Sequence, residues 1–228
     1  MCGGSPFVGF LEHPAILTPY GKSTWVPLVA ALAAATVACA IWFQWGLVLT
    51  VPVLVFVLWF FRDPERRSEA PENALISPAD GEVVEIMTAQ EPDHIKGPAT
   101  KISIFMSVVS VHVNRAPCDA EVVWVKPMEG TFVNAMRAES GLENVRTLIA
   151  LKRPDGSPLL MKQIAGLIAR RIICPLKPGD KLRRGERFGM IKFGSRVEVF
   201  LPQGKPFEPQ VRLGQMVKAG ETALGVWR

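Results

Sequence analysis

With 228 residues, the chain has room for one domain or for a small domain with an appendage. Its apolar fraction of 49% is high for a soluble protein of this size, and its formal net charge of +5 is modestly basic. The cysteines (Cys2, Cys39, Cys118, Cys174) show no CxxC spacing, which argues against a zinc site and reads as free thiols in a reducing compartment.

Residues 1–22 read as a short tail of Gly, Pro and polar residues. From Ser23 to Phe61 there is no charged residue. One spanning helix needs about 20 apolar residues, so this run has the length of two short spans. Gln44, Trp45 and Gly46 fall near its middle as the bend, with Pro52 just beyond. Lys22 precedes the run, and Arg62, Arg66 and Arg67 follow it. Positive charge at both ends places both on the cytoplasmic side, so the run is expected to cross twice or to dip in and return. Trp25, Trp42, Trp45 and Trp59 lie where interfacial anchors belong. A secretory signal is disfavoured because its apolar core is only about 7–15 residues. A buried helix pair is disfavoured because so small a domain could hardly cover the run. The expectation is a helical hairpin at 23–61 in the cell (inner) membrane, with the rest of the chain on the cytoplasmic face.

From residue 62 to 228 the chain changes to short alternating runs broken by Pro and Gly. They are Gly81–Met87, Lys101–Met106, Val108–Asn114, Ala120–Val125, Gly130–Ala135, Val145–Leu151, Leu159–Gln163, Arg171–Cys174, Arg187–Lys192 and Arg196–Phe200. This density of strands predicts a mainly β domain of barrel or sandwich type. Ile164–Arg170 reads equally as a short helix or a strand continuation. Basic residues crowd the segment from Arg170 to Arg187, with Phe188 the one aromatic at its edge. Without interleaved aromatics a nucleic-acid partner is not expected. Anionic lipid headgroups or plain solvation both account for the charge.

A repeat links Gly179-Asp-Lys-Leu-Arg-Arg-Gly-Glu186 with Gly214-Gln-Met-Val-Lys-Ala-Gly-Glu221, 35 residues later. It resembles the paired hammerhead turns of biotinyl and lipoyl carrier domains, and so implies a barrel-sandwich-hybrid-like scaffold. No carrier lysine stands in a Met-Lys-Met tip, which argues against a swinging arm.

Five segments stand out, in this order: FFRDPER (60–66), SPADGEV (77–83), FMSVVSVHVNRAP (105–117), QIAGLIARRI (163–172) and the Phe193-Gly194-Ser195 step. Alone, a Gly-Ser pair reads as a turn. Together the segments make the whole chain resemble the short-form phosphatidylserine decarboxylase proenzymes. The resemblance implies that Ser195 Oγ attacks the Gly194 carbonyl and forms an ester. Elimination then cuts the chain and leaves a pyruvoyl group at residue 195. The products would be a β chain of residues 1–194 and an α chain of residues 195–228, held as a heterodimer that is free to oligomerise further.

The pyruvoyl group would form a Schiff base with the serine amine of phosphatidylserine and release phosphatidylethanolamine. No metal and no pyridoxal phosphate are implied. The resemblance assigns Asp80, His112 and Ser195 to self-cleavage, and His112 is the candidate proton donor in turnover. His13 and His94 fall in the tail and in a loop. Asn114, Arg115 and Arg146 are candidate headgroup contacts, the arginines by their bidentate fit to phosphate or carboxylate. For both arginines a surface ion pair is the competing reading.

Some residues depart from the family pattern. Ser110 stands where many members carry an acid or amide, and Cys118-Asp119-Ala120 follows the NRAP segment. The family's NER-rich segment appears here as Glu143-Asn144-Val145-Arg146. Arg115 occupies the place of the second histidine of long-form relatives. Rival readings are an uncleaved membrane-anchored hammerhead binding module, and a pyruvoyl decarboxylase of another serine lipid such as archaetidylserine. A third, a serine hydrolase using Ser195, His112 and Asp80, lacks the G-x-S-x-G elbow.

Overall fold

The computed structural model describes residues 16–228 apart from 138, 168–170, 193 and 205, so Cys2 and His13 lie outside it. The chain divides into two compact units, His13–Glu65 and Arg66–Arg228.

In the first unit the uncharged run folds as two helices, α1 (Lys22–Trp42) and α2 (Leu47–Phe60), joined by a 3-10 turn at Gln44–Gly46. The bend falls where the sequence placed it. The helices differ in reach. At 1.5 Å per residue α1 is about 32 Å long, the thickness of a bilayer's hydrocarbon core, whereas α2 extends about 21 Å. Among the described residues α1 is long and apolar enough to cross a membrane, while α2 belongs with the shorter apolar helices. Apolar side chains face outward all round α1, which buries no residue, and Trp42 and Trp45 near the bend are 78% and 80% exposed.

The second unit is mainly β. Its largest sheet holds, in spatial order, β13 (Met216–Val217), β2 (Gly81–Glu91), β3 (Gly97–Met106), β11 (Ser195–Pro202), β7 (Pro158–Ile164), β6 (Arg146–Lys152), β5 (Ala120–Met128) and β9 (Lys181–Leu182). The sheet is curled into a half-barrel. Two smaller sheets follow the orders β1 (Ala74–Ile76), β14 (Ala223–Trp227), β12 (Phe207–Pro209) and β4 (Val113–Arg115), β10 (Arg187–Ile191), β8 (Ile172–Ile173).

Alternation along β11 shows how the sheet is built. Ser195, Val197 and Val199 face the main core with Ile102, Ile104, Ile149 and Met161, while the intervening residues face the other side. There Phe200 packs with Ala99, Leu148, Ala150 and Leu160, and Arg196 and Glu198 are buried with charged partners. Arg196 Nε lies 3.0 Å from Glu198 Oε1, and its Nη2 binds Glu85 and donates to Ser103 Oγ at 2.9 Å. Lys101 Nζ stands 2.7 Å from Glu85 and 3.0 Å from Glu198. Burial raises the Glu85 carboxyl, but the Lys101 hydrogen bond and the charges of Arg196 and Lys101 outweigh it and hold it below its ordinary value.

Two predicted strands are replaced by other structure. Val108–Asn114 is strand only from Val113, because Ser110 N donates to Ser107 O and closes a turn. Gly130–Ala135 forms no ladder of its own. The Asn144 side-chain amide instead takes both backbone groups of Val133, accepting from its N–H at 2.9 Å and donating to its carbonyl at 2.8 Å. That satisfies the segment as a strand partner would.

The glycine-turn repeat is real in three dimensions and has a second half. Ser77-Pro-Ala-Asp-Gly-Glu-Val-Val84 matches Ala116-Pro-Cys-Asp-Ala-Glu-Val-Val123. Each copy receives one glycine turn. Gly214 N donates to Val83 O and Gly220 N to Ser77 O; correspondingly, Gly179 N donates to Val122 O and Gly185 N to Ala116 O. The short strands β13 and β9 thus occupy opposite edges of the large sheet.

Candidate active site

Strand ends bring the motif segments together. Ser195 opens β11 directly opposite Met106, the last residue of β3, and Arg196 stands opposite Ile164, the last of β7. Gly81 opens β2 beside that same end of β3. Arg115 N donates to Pro78 O at 2.9 Å, which ties the histidine segment to SPADGEV. The outcome is one crowded end of the sheet at which residues distant in sequence meet.

At its centre is the Gly194–Ser195 peptide. Gly194 has φ +57°, a left-handed conformation that side chains disfavour. Ser195 is fully buried, and its hydroxyl donates to the Met106 thioether at 3.4 Å. A thioether is a weak acceptor, so this hydroxyl is held in place without being strongly engaged. Gly166 packs against the Gly194 carbonyl. A Cβ on Gly166 would lie 2.9 Å from the Gly194 carbonyl carbon and overlap its oxygen. Neither Met106 nor Gly166 was singled out from sequence, although both lie in motif segments.

Asn114, fully buried, is joined to Ser195 through the same sulfur, donating to Met106 Sδ at 3.7 Å. Its carbonyl accepts from Gln163 Nε2 at 2.8 Å, a link between the histidine segment and QIAGLIARRI. His112 is fully buried two residues before Asn114, and its backbone carbonyl accepts from Ile191 N at 3.3 Å. His94 is placed elsewhere, with Nε2 3.0 Å from Leu151 O in the turn between β2 and β3.

Asp80 stands at the same end of the sheet, but β2 and β11 are two strand spacings apart, about 10 Å. Its carboxylate is gripped by the Arg66 guanidinium, with Nη2 to Oδ2 at 2.9 Å, and it accepts from Ala219 N at 2.8 Å. The second contact has a counterpart in the repeat, where Asp119 accepts from Arg184 N at 2.7 Å. Fixing a glycine turn is therefore the task both aspartates share, and the Arg66 ion pair distinguishes Asp80.

Each candidate headgroup arginine donates to a backbone carbonyl. Arg115, buried, donates from Nη1 to Gly185 O at 3.2 Å and packs so closely on Gly220 that a Cβ there would lie 2.7 Å from its Cδ. It thus touches corresponding turns of both repeats. Arg146, half-buried, donates to Asn144 O at 3.0 Å. Lys192 lies three residues before Ser195, where burial and then the charge of Arg171 push its pKa down. Burial pushes the Cys118 and Cys174 thiols up to about 12 and about 11. Among the described residues no three His, Cys, Asp or Glu side chains are grouped to hold a metal ion.

Residues 53–225 match the family model described as phosphatidylserine decarboxylase. Similar curated proteins bear the name phosphatidylserine decarboxylase proenzyme. One from Syntrophus aciditrophicus is 40% identical over 95% of this chain and 100% of its own length. One from Magnetococcus marinus is 46% identical over 74% of this chain and 76% of its own. One from Ralstonia nicotianae is 48% identical over 75% and 78%.

Proposed function

The chain belongs to the phosphatidylserine decarboxylase family, and on that premise we propose that it cuts itself between Gly194 and Ser195 and uses the pyruvoyl group so formed to convert phosphatidylserine into phosphatidylethanolamine. It is a carboxy-lyase of phospholipid biosynthesis, made as a zymogen. One observation carries the reading: at the meeting point of the motif segments, a buried serine follows a left-handed glycine whose carbonyl is pressed against a second glycine.

Cleavage begins when Ser195 Oγ adds to the Gly194 carbonyl carbon, its proton leaving for a base, and the C–N bond gives way to an ester. Removal of the Ser195 α-proton expels the Gly194 carboxylate. The remaining dehydroalanine takes up water and loses ammonia. Gly166 leaves room for the carbonyl to turn toward the hydroxyl, and Met106 keeps the hydroxyl beside it. Asp80 acts here as a positioning residue, locking SPADGEV between Arg66 and the Gly220 turn. In turnover the pyruvoyl carbonyl supplies the electron sink that an amino-acid headgroup needs in order to lose carbon dioxide. His112 delivers the proton that replaces the carbon dioxide. Asn114 orients the headgroup beside residue 195. The all-round apolar surface of α1 supports membrane attachment, with the β unit on the cytoplasmic face of the inner membrane.

Intact mass under denaturing conditions tests the reading. Two chains split after Gly194, the smaller blocked to Edman chemistry and reactive with hydrazine, are the expected result. A single 25.0 kDa chain from folded protein would overturn it. Gly166→Ala is expected to slow cleavage about 100-fold, since a displacement of about 1 Å at a reacting centre costs that much. A pulse-chase of precursor against product measures it, and wild-type cleavage kinetics would remove Gly166 from the account.

A further inference from the structure

The buried position of Ser195 raises the question of how a lipid headgroup reaches it, and the surface around that end of the sheet is distinctive. Three loops end there: the one after Met106, the one after Ile164, and the one that leads into Arg146. Each carries exposed large apolar side chains. Val109 is 62% exposed on the first, Leu167 is 64% exposed on the second, and Met136 and Leu142 are 54% and 73% exposed on the third. Two are directly tied to the cleavage point. Leu167 follows Gly166, which packs on the Gly194 carbonyl, and Met136 follows Ala135, whose Cβ also borders Gly166. Val109 sits in the turn closed by Ser107 and Ser110, immediately beyond the methionine that holds the Ser195 hydroxyl.

Positive charge accompanies this rim. Arg171 is exposed, and its charge acts on Lys192, three residues before Ser195. Arg137 lies on the third loop together with Glu139 and Glu143, so among the described residues Arg171 is the cation that the rim contributes. Apolar side chains at loop tips with a basic flank are suited to the interface of an anionic bilayer, where the apolar tips enter the acyl boundary and the cations meet headgroups.

We propose that Val109, Met136, Leu142 and Leu167 form a docking rim by which the β unit seats its own active-site mouth in the headgroup region of an anionic phospholipid bilayer, so that the headgroup is presented to residue 195 without leaving the membrane. This rests on the decarboxylase reading above. The rim is separate from attachment by the helical hairpin: it governs access of the lipid to the site.

The test compares two forms of one substrate. A triple variant, Val109→Ser with Met136→Ser and Leu167→Ser, is assayed on vesicles containing long-chain phosphatidylserine and on monomeric dihexanoyl phosphatidylserine. The expected result is a loss of about tenfold or more in kcat/KM on vesicles, from forfeited burial of apolar surface, with normal conversion of the monomeric lipid and normal two-chain processing. Met87→Ser, an exposed apolar residue far along β2, is expected to change neither. Unchanged activity on vesicles overturns the rim. Equal loss on both substrates also overturns it, and assigns these side chains to the site itself. If the unsubstituted protein converts neither lipid, the decarboxylase reading has failed and the rim falls with it.

Discussion

Ser195→Ala is expected to yield a folded single chain of 25.0 kDa with no hydrazine-reactive carbonyl and no decarboxylation above background. Its physical basis is that one oxygen serves two purposes. In the proposed mechanism the Ser195 hydroxyl would be the nucleophile of the cut, and the residue that bears it would become the carbonyl of turnover. Among the described residues its side-chain partner is the Met106 thioether, which neither attacks a peptide nor yields a carbonyl. The substitution removes one buried oxygen and a weak hydrogen bond to sulfur, so stability should change by less than about 1 kcal/mol. Intact mass, hydrazine labelling and release of carbon dioxide from carboxyl-labelled lipid read the three expectations separately. Cleavage at residue 194 in this variant, or retained turnover, would sink the mechanism.

Arg196→Ala should have the largest effect on stability. The guanidinium is fully buried between Glu85 and Glu198, and Lys101 is shared by the same two carboxylates. Removing it leaves two carboxylates sharing one ammonium on a buried face. Breaking a buried ion pair from one side costs about 3–5 kcal/mol. For a domain of this size that lowers Tm by roughly 10 °C. The measurement belongs in the uncut Ser195→Ala background, where unfolding involves a single chain. A loss below about 1 kcal/mol would show that water or Lys101 takes over the charge. Arg196 also adjoins residue 195, so the same change in the cleavable chain should impair conversion even where cleavage proceeds.

Much of this was legible in sequence because each signal was local. An uncharged run with a Gln-Trp-Gly break reads directly as a helical hairpin, and glycine-rich turns at a spacing of 35 residues read as a repeat. What could not be read required pairing across the sheet. Val108–Ser110 has the composition of a strand, yet two serines close it into a turn. Gly130–Ala135 is satisfied by the side chain of Asn144, which lies outside the segment. The second half of the repeat, SPADGEVV against APCDAEVV, was visible in the letters. Comparing them would have flagged Asp80 as a turn-fixing residue, since Asp119 does the same work. Arg66, Met106 and Gly166 acquire meaning only through the partners they meet.

The position of β11 has a consequence for the life history of the protein. This strand runs in the interior of the large sheet, paired along its length with β3 on one side and with β7 on the other. A cut just before Ser195 would make it the leading segment of a separate short chain, still clasped between two strands of the longer one. Such a product is interlocked by its assembly order. The uncut chain can close the sheet around β11 because the two are tethered, whereas two separate chains would have to open a finished sheet and insert a middle strand from solution. Once unfolded, the mature enzyme would therefore lack the route by which it was made. Its working lifetime would be set by how slowly the sheet opens, and each active molecule would be one that had folded before it was cut.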